Sequence, residues 1–287
     1  MRVIPFHLSL LCIVLGLFVV AASAETPMPS CPAKGGPLTG KFSGYTVRMV
    51  RSSNRGFRCQ AFVVEPGSKA PHGKAVAKDW ALSINPLSGS DVNGDGKPDL
   101  IVEGFSGGAH CCYTYSIYSL SEGLPLLRVI RNQVPVSFVK RDAGGVEVRT
   151  GDGVFDYFLL PHVSAVIPEL YLRLDGDKLV DIGAEHTADY DKLIEKARIE
   201  LKPDEVEKLK SSNYNQKMLI DQLDTVQKVL TIVLNYVYSG REEQAWHALD
   251  EMWPSSDVDR VKNLIRERRS RGLMAQAEKK SAAADHP

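Results

Sequence analysis

The sequence predicts an α+β protein, a mainly antiparallel β domain followed by a small α-helical array. Short β-favouring runs broken by turn residues recur from Tyr45 to about Ile182. From Thr187 onward the apolar residues instead recur at helical spacing. The turns between the β runs carry recognisable chemistry, as in Asn54-Arg-Gly, Ala143-Gly-Gly, Gly151-Asp-Gly and Asp175-Gly-Asp.

Residues 1–24 have the parts of an export signal: Arg2 as a charged start, an apolar run from Leu8 to Val20, and the small-residue exit Ala22-Ser23-Ala24. Cleavage is expected near Ala24, placing the mature chain outside the cytoplasm, periplasmic or secreted. Cys12 lies inside the apolar run after Leu11, where lipidation would need a small residue. Residues 25–40 are rich in Pro, Gly and Ser and read as a flexible lead-in.

The β-rich domain is expected over residues 40–186. Its runs include Gly44 to Val50, Phe57 to Val64, Trp80 to Ile84, Tyr113 to Leu120, Val134 to Val139, Val146 to Thr150, Val154 to Leu160 and Leu170 to Leu174. About 140 residues of this kind can bury one core.

The helical domain is expected over residues 187–272. Asp189 to Ile199 reads as one helix, and Pro203 restarts the chain in another, because proline is tolerated only in a helix's first turn. Gln216 to Tyr238 reads as a longer helix with Leu219, Leu223, Val226, Leu230, Val233 and Val237 as its apolar stripe. Ser239-Gly-Arg-Glu242 has the form of a capping box. The helix it opens carries Ala245, Trp246, Leu249 and Met252 and stops before Pro254, and Ser255 or Ser256 is expected to cap the last one. Residues 273–287, rich in Ala and Lys, read as a disordered tail.

Charge excludes little and favours little. The 35 basic and 35 acidic residues balance, so no net field draws the chain to nucleic acid or membrane. The basic cluster at Arg266, Arg268, Arg269 and Arg271 reads as a solvated helix end. No segment of the mature chain reaches the length of about 20 apolar residues that a membrane-spanning helix needs. An unidentified protein or glycan remains as the expected partner class.

Four cysteines survive cleavage: Cys31, Cys59, Cys111 and Cys112. An even number in an exported chain reads as disulfides, with three pairings possible. Adjacent strand residues point to opposite faces, so Cys111 and Cys112 are expected to pair with Cys31 and Cys59 and not with each other.

The sharpest chemistry lies in Asp91-Val-Asn93-Gly-Asp95-Gly96-Lys97-Pro-Asp99-Leu100. Oxygen ligands at positions one, three, five and nine, a carbonyl at seven from Lys97 and glycine at six suit a hard divalent cation. Carboxylates this close repel one another unless a cation lies between them. An EF-hand would continue to an acidic residue at position twelve, where this chain has Val102, and Leu100-Ile-Val102 reads as a strand.

The loop resembles the calcium loops of the FG-GAP and VCBS repeat families, whose Asp-x-Asn/Asp-x-Asp-Gly-x-x-Asp-Leu pattern is matched by Asp91, Asn93, Asp95, Gly96, Asp99 and Leu100. The resemblance covers about 30 residues and implies Ca2+ as the ion, in a structural role within an extracytoplasmic binding protein. Those families repeat the motif to close a β-propeller. This chain carries one copy, which favours a smaller β domain.

Two other chemistries are open. Ser106, or a cysteine, near His110 could be written as nucleophile and base of a hydrolase, but no nucleophile elbow or third orienting group is legible. His110-Cys111-Cys112 could serve as a thiol or transition-metal site, with a fourth ligand from His162 or His186. A non-enzymatic role is expected, with His72, His162 and His247 as surface or core residues. Tyr113, Tyr115 and Tyr118, with Trp246 and Trp253, are expected to serve packing.

Overall fold

The computed structural model describes residues 37–53, 55–69, 73–108, 112–213 and 215–278. Its β part is three four-stranded antiparallel sheets, and in each the strands lie side by side in chain order. The first holds β1 (Leu38–Phe42), β2 (Tyr45–Arg51), β3 (Cys59–Val64) and β4 (Lys74–Asp79). The second holds β5 (Ala81–Ile84), β6 (Asp99–Phe105), β7 (Tyr113–Ser119) and β8 (Leu126–Asn132). The third holds β9 (Val136–Lys140), β10 (Val146–Gly151), β11 (Glu169–Asp175) and β12 (Lys178–Asp181). Helices follow: α1 (Thr187–Glu200), α2 (Pro203–Lys210), α3 (Gln216–Asp221), α4 (Leu223–Tyr238), α5 (Glu242–Met252), α6 (Val258–Arg269) and α7 (Leu273–Glu278). This is the α+β arrangement that the sequence predicts.

The period-two alternation of the strands decides how the sheets stack. In β2 and β3, Tyr45, Val47, Met49, Cys59, Ala61 and Val63 are buried while their neighbours are half-buried. They share a core with Leu100 and Val102 of β6. The alternate residue Ile101 joins a second core with β9, β10, β11 and the helices. The second sheet is therefore buried on both faces, which is why β6 is buried at nearly every position. Ordinary alternation along β7 sends Ile117 to one core and Tyr118 to the other, and the register shift opposite them leaves Leu127 of β8 as the extra residue.

The helices have no core of their own. Buried residues of α1, α4, α5 and α6 belong to the same cluster as Val148, Leu170 and Leu172 of the third sheet. Val226, Val229, Leu230, Ile232, Val233, Leu234 and Val237 of α4 are almost wholly shielded. Each such side chain contributes about 1.5–3 kcal/mol by leaving water.

Several expectations are corrected. Val154 to Leu160 is not a strand: a 3-10 turn occupies Gly153–Phe155, and Tyr157 and Leu159 take φ of +55° and +57°, which breaks any ladder. The expected helix from Gln216 to Tyr238 divides at Gln222, whose backbone leaves the helical region, into α3 and α4. Ser239 does not open a capping box. Its Oγ donates back to Asn235 O at 2.8 Å, closing α4, and α5 begins after Arg241 with no side-chain cap. Asp257, and neither Ser255 nor Ser256, precedes α6. The tail is ordered as far as α7, where Leu273 is buried and Gln276 Nε2 donates to Arg131 O at 3.1 Å. A helix of six residues is marginal alone and exists here through such tertiary contacts. Residues 279–287 lie outside the described residues, as do the expected export signal and residues 25–36 of the expected lead-in, whose residues 38–40 belong to β1.

Candidate functional site: an acidic loop between two sheets

Asp91 to Asp99 connects β5 to β6. Gly94 and Gly96 both take φ of +80°, a left-handed conformation that glycine adopts without penalty, and so the chain doubles back twice. The side chains then fold onto the loop's own amides. Asp91 Oδ1 accepts from the amides of Asn93 at 3.2 Å and Gly94 at 2.7 Å, and its Oδ2 accepts from Gly96 at 2.8 Å. Asn93 Oδ1 accepts from Asp95 N at 3.2 Å, and Asp95 Oδ1 from Lys97 N at 2.8 Å. These are successive Asx turns, which make the loop stiff.

Asp99 closes the loop from the first position of β6. It is fully buried, and its Oδ2 accepts the Val92 amide at 2.8 Å. Its Oδ1 is buried with no hydrogen-bond partner. Burial pushes the Asp99 carboxyl up to about 6. The Val92 and Asn93 amides oppose the rise, and the charges of Asp95 and Asp91 add to it. An orphan buried carboxylate oxygen next to two more carboxylates is a costly arrangement in an ion-free protein.

The loop is also a joint. Val92 is buried in the core shared with the third sheet, and its carbonyl accepts the Val146 amide at the start of β10, 3.0 Å away. Asn93 Nδ2 donates to Gly176 O at 3.2 Å, and Gly176 N donates to Asn93 O at 3.1 Å. Gly176 lies in the turn between β11 and β12. Gly145 also passes close, where an added Cβ would sit 3.5 Å from Val92 O. The sequence singles out Asp175-Gly-Asp only as a turn. Its docking against Asn93 is a tertiary contact with no local signal.

Of the five expected ligands, Asp91, Asp95 and Asp99 are near enough for their charges to be coupled, and Asn93 is buried between the sheets. Lys97 is exposed. Among the described residues, no group of three His, Cys, Asp or Glu side chains is arranged as a metal centre, because Asp91 and Asp95 are turned to backbone amides. The donor set fits a hard cation: every side-chain donor is oxygen, and Asp99 Oδ1 is an acceptor with nothing to accept.

The other candidates are used otherwise. Ser106 Oγ accepts the Cys112 amide at 2.7 Å. His110 and Cys111 lie outside the described residues, as do His72 and Cys31. Cys59 and Cys112 are disulfide-bonded, and the pairing among the four cysteines stays open. His162 Nδ1 meets Asp156 at 2.7 Å, and His186 stacks on Tyr171 with ring centroids 3.9 Å apart. His247 faces solvent beside Glu251. Tyr115 is a core residue whose hydroxyl accepts the Val136 amide at 2.8 Å, and buried Trp253 donates to Asp257 Oδ2 at 2.9 Å. Among the described residues no helix is long and apolar enough to cross a membrane. No family model, curated protein or solved structure matches the chain.

Proposed function

We propose that this is an exported, non-enzymatic binding protein in which a calcium ion staples the second and third sheets together. The ion is held by Asp91, Asn93, Asp95, the Lys97 carbonyl and Asp99, and disulfides among Cys31, Cys59, Cys111 and Cys112 add covalent ties. The observation that carries this reading is Asp99 Oδ1, buried without a donor beside two further carboxylates. Because Val92 and Asn93 are bonded to β10 and to the β11–β12 turn, an ion that stiffens the loop also stiffens the joint. Binding of a protein or glycan partner falls to surfaces held in place by that joint. Calcium sites of extracellular modules have dissociation constants of about 10⁻⁴ to 10⁻³ M, so such a site is filled outside the cell and acts as a staple and not a sensor.

Calorimetric titration of the protein with calcium, and separately with magnesium, tests the reading. One calcium site in this affinity range, absent in Asp95→Ala and in Asp99→Asn, is the expected result. Absence of calcium binding in the parent protein would reduce Asp91 to Asp99 to an ordinary turn.

A further inference from the structure

The outer face of the third sheet carries a polar cavity that is independent of the acidic loop. Its volume is about 500 Å³, within the range of about 300–1,000 Å³ typical of small-molecule sites. It opens where β9, β10 and β11 present Ser137, Arg149, Glu169 and Tyr171, with Val134 and Ile167 as an apolar wall. Register explains the grouping. Arg149 lies opposite both Ser137 and Tyr171, and Glu169 pairs with Gly151, one diagonal step from Arg149.

Arg149 is held in position. Its Nε donates to Glu147 Oε1 at 2.5 Å, and the buried Glu147 turns its other oxygen to His186 Nε2 at 3.3 Å. Its guanidinium lies 5.9 Å from the centroid of the Tyr171 ring, against which His186 stacks nearly parallel. The two Nη groups have no hydrogen-bond partner among the described residues. A guanidinium fixed through Nε, with both Nη groups open to a cavity, presents the fork that a carboxylate fits. Glu169 is fixed as well, its Oε2 accepting from Tyr171 Oη at 2.5 Å.

The charges select the ligand. An anion on the open Nη groups of Arg149 lies beside the Glu169 carboxylate, and a cation on Glu169 lies beside the Arg149 guanidinium, so a ligand of one sign meets an opposing charge. A molecule carrying both signs meets both groups. We infer that this cavity binds a small zwitterionic α-amino acid with an apolar side chain, its carboxylate on the Arg149 Nη groups, its ammonium on Glu169 and its hydrocarbon against Val134 and Ile167.

The test is calorimetric or NMR titration of the whole protein with L-leucine, with 4-methylpentanoate, which lacks the ammonium, and with 3-methylbutylamine, which lacks the carboxylate. Leucine is expected to bind at least about tenfold more tightly than either, the equivalent of 1.4 kcal/mol. Arg149→Lys and Glu169→Gln, each checked for an unchanged melting temperature, are expected to lower leucine affinity by a similar factor. Two separate variants keep the test decisive if one perturbs folding. No leucine binding at millimolar concentration, or equal binding of either truncated probe, would overturn the assignment. Because the ion is not involved, loss of calcium binding would leave this result unchanged.

Discussion

Replacing Asp99 by asparagine separates an ion site from a mere turn, because the two readings give opposite signs. In the parent protein the Asp99 side chain accepts a well-formed bond from Val92 N at Oδ2, has the Asn93 amide close by, and leaves Oδ1 buried without a partner of its own. Asparagine retains an acceptor for Val92 while removing the buried charge. A buried polar atom left without its bond costs about 1–3 kcal/mol, and more when charged. In chelator, therefore, Asp99→Asn is expected to be no less stable than the parent. Calcium reverses the order. A ligand binding only the folded state adds RT ln(1 + [L]/Kd), about 1.4–2.7 kcal/mol at ten to one hundred times Kd. For a chain of this size that is about 3–10 °C in melting temperature. Thermal unfolding by circular dichroism, with excess calcium and again with chelator, reads both effects. The parent should rise with calcium and the variant should not, so that the two curves exchange order. A parent indifferent to calcium, or a variant that rises equally, would refute the assignment of Asp99 Oδ1 as an ion ligand.

Four further outcomes are expected. Asp152 is buried where the loop after β10 meets the helices, accepting from Tyr238 Oη at 2.6 Å and from Leu273 N at 3.3 Å with Arg269 near; desolvation raises its carboxyl above the ordinary value despite these bonds. A raised acid stabilises the fold below its unfolded pKa, and that contribution is lost as pH rises through the folded value. The stability advantage of the parent over Asp152→Asn in urea titrations should then shrink from pH 4 upward, and a widening gap would contradict it. Gly183→Ala places a Cβ 2.4 Å from the Tyr238 carbonyl, and a loss of about 1–3 kcal/mol in chemical denaturation is expected from overpacking against backbone. Leu230→Ala, at a fully buried position of α4, should cost about 2–5 kcal/mol by the same assay, and a smaller loss would mean that the surrounding helices relax. Thiol labelling of denatured, unreduced protein should leave Cys59 and Cys112 unmodified, and labelling at either by mass spectrometry would contradict the disulfides.

The legible parts of the fold share a physical property, namely strong local periodicity. β2, β7, β10 and β11 largely alternate apolar and polar residues, β3 is a short β-favouring apolar run, and α1 keeps Tyr190, Ile194 and Ala197 on one face. The strands without a clear signal, β1, β4, β8 and β12, are all at the edges of their sheets. Edge strands bury less, and β4, Lys74-Ala-Val-Ala-Lys-Asp79, carries the lysines that discourage further pairing. Val154 to Leu160 misleads because its aromatic and aliphatic residues have the composition of a strand. Phe155, Phe158 and Leu160 enter the core instead from a turn that no two-residue period encodes.

For the candidate site, the sequence alone determined the loop. Asp91, Asn93 and Asp95 stand at alternate positions, with Gly94 and Gly96 allowing the chain to turn, so their side chains reach amides two to five residues on, and that chemistry is local. It equally determined the change from strands to helices near Thr187, because side-chain periodicity is a property of neighbouring residues. Only the tertiary structure decided that the second sheet is buried on both faces, that Asn93 grips the turn at Gly176, and that Arg149, Glu169 and Tyr171 face one cavity. Those facts depend on contacts between segments distant along the chain. Such contacts leave no periodic trace in either segment, since each partner satisfies only its own local geometry until the core brings them together.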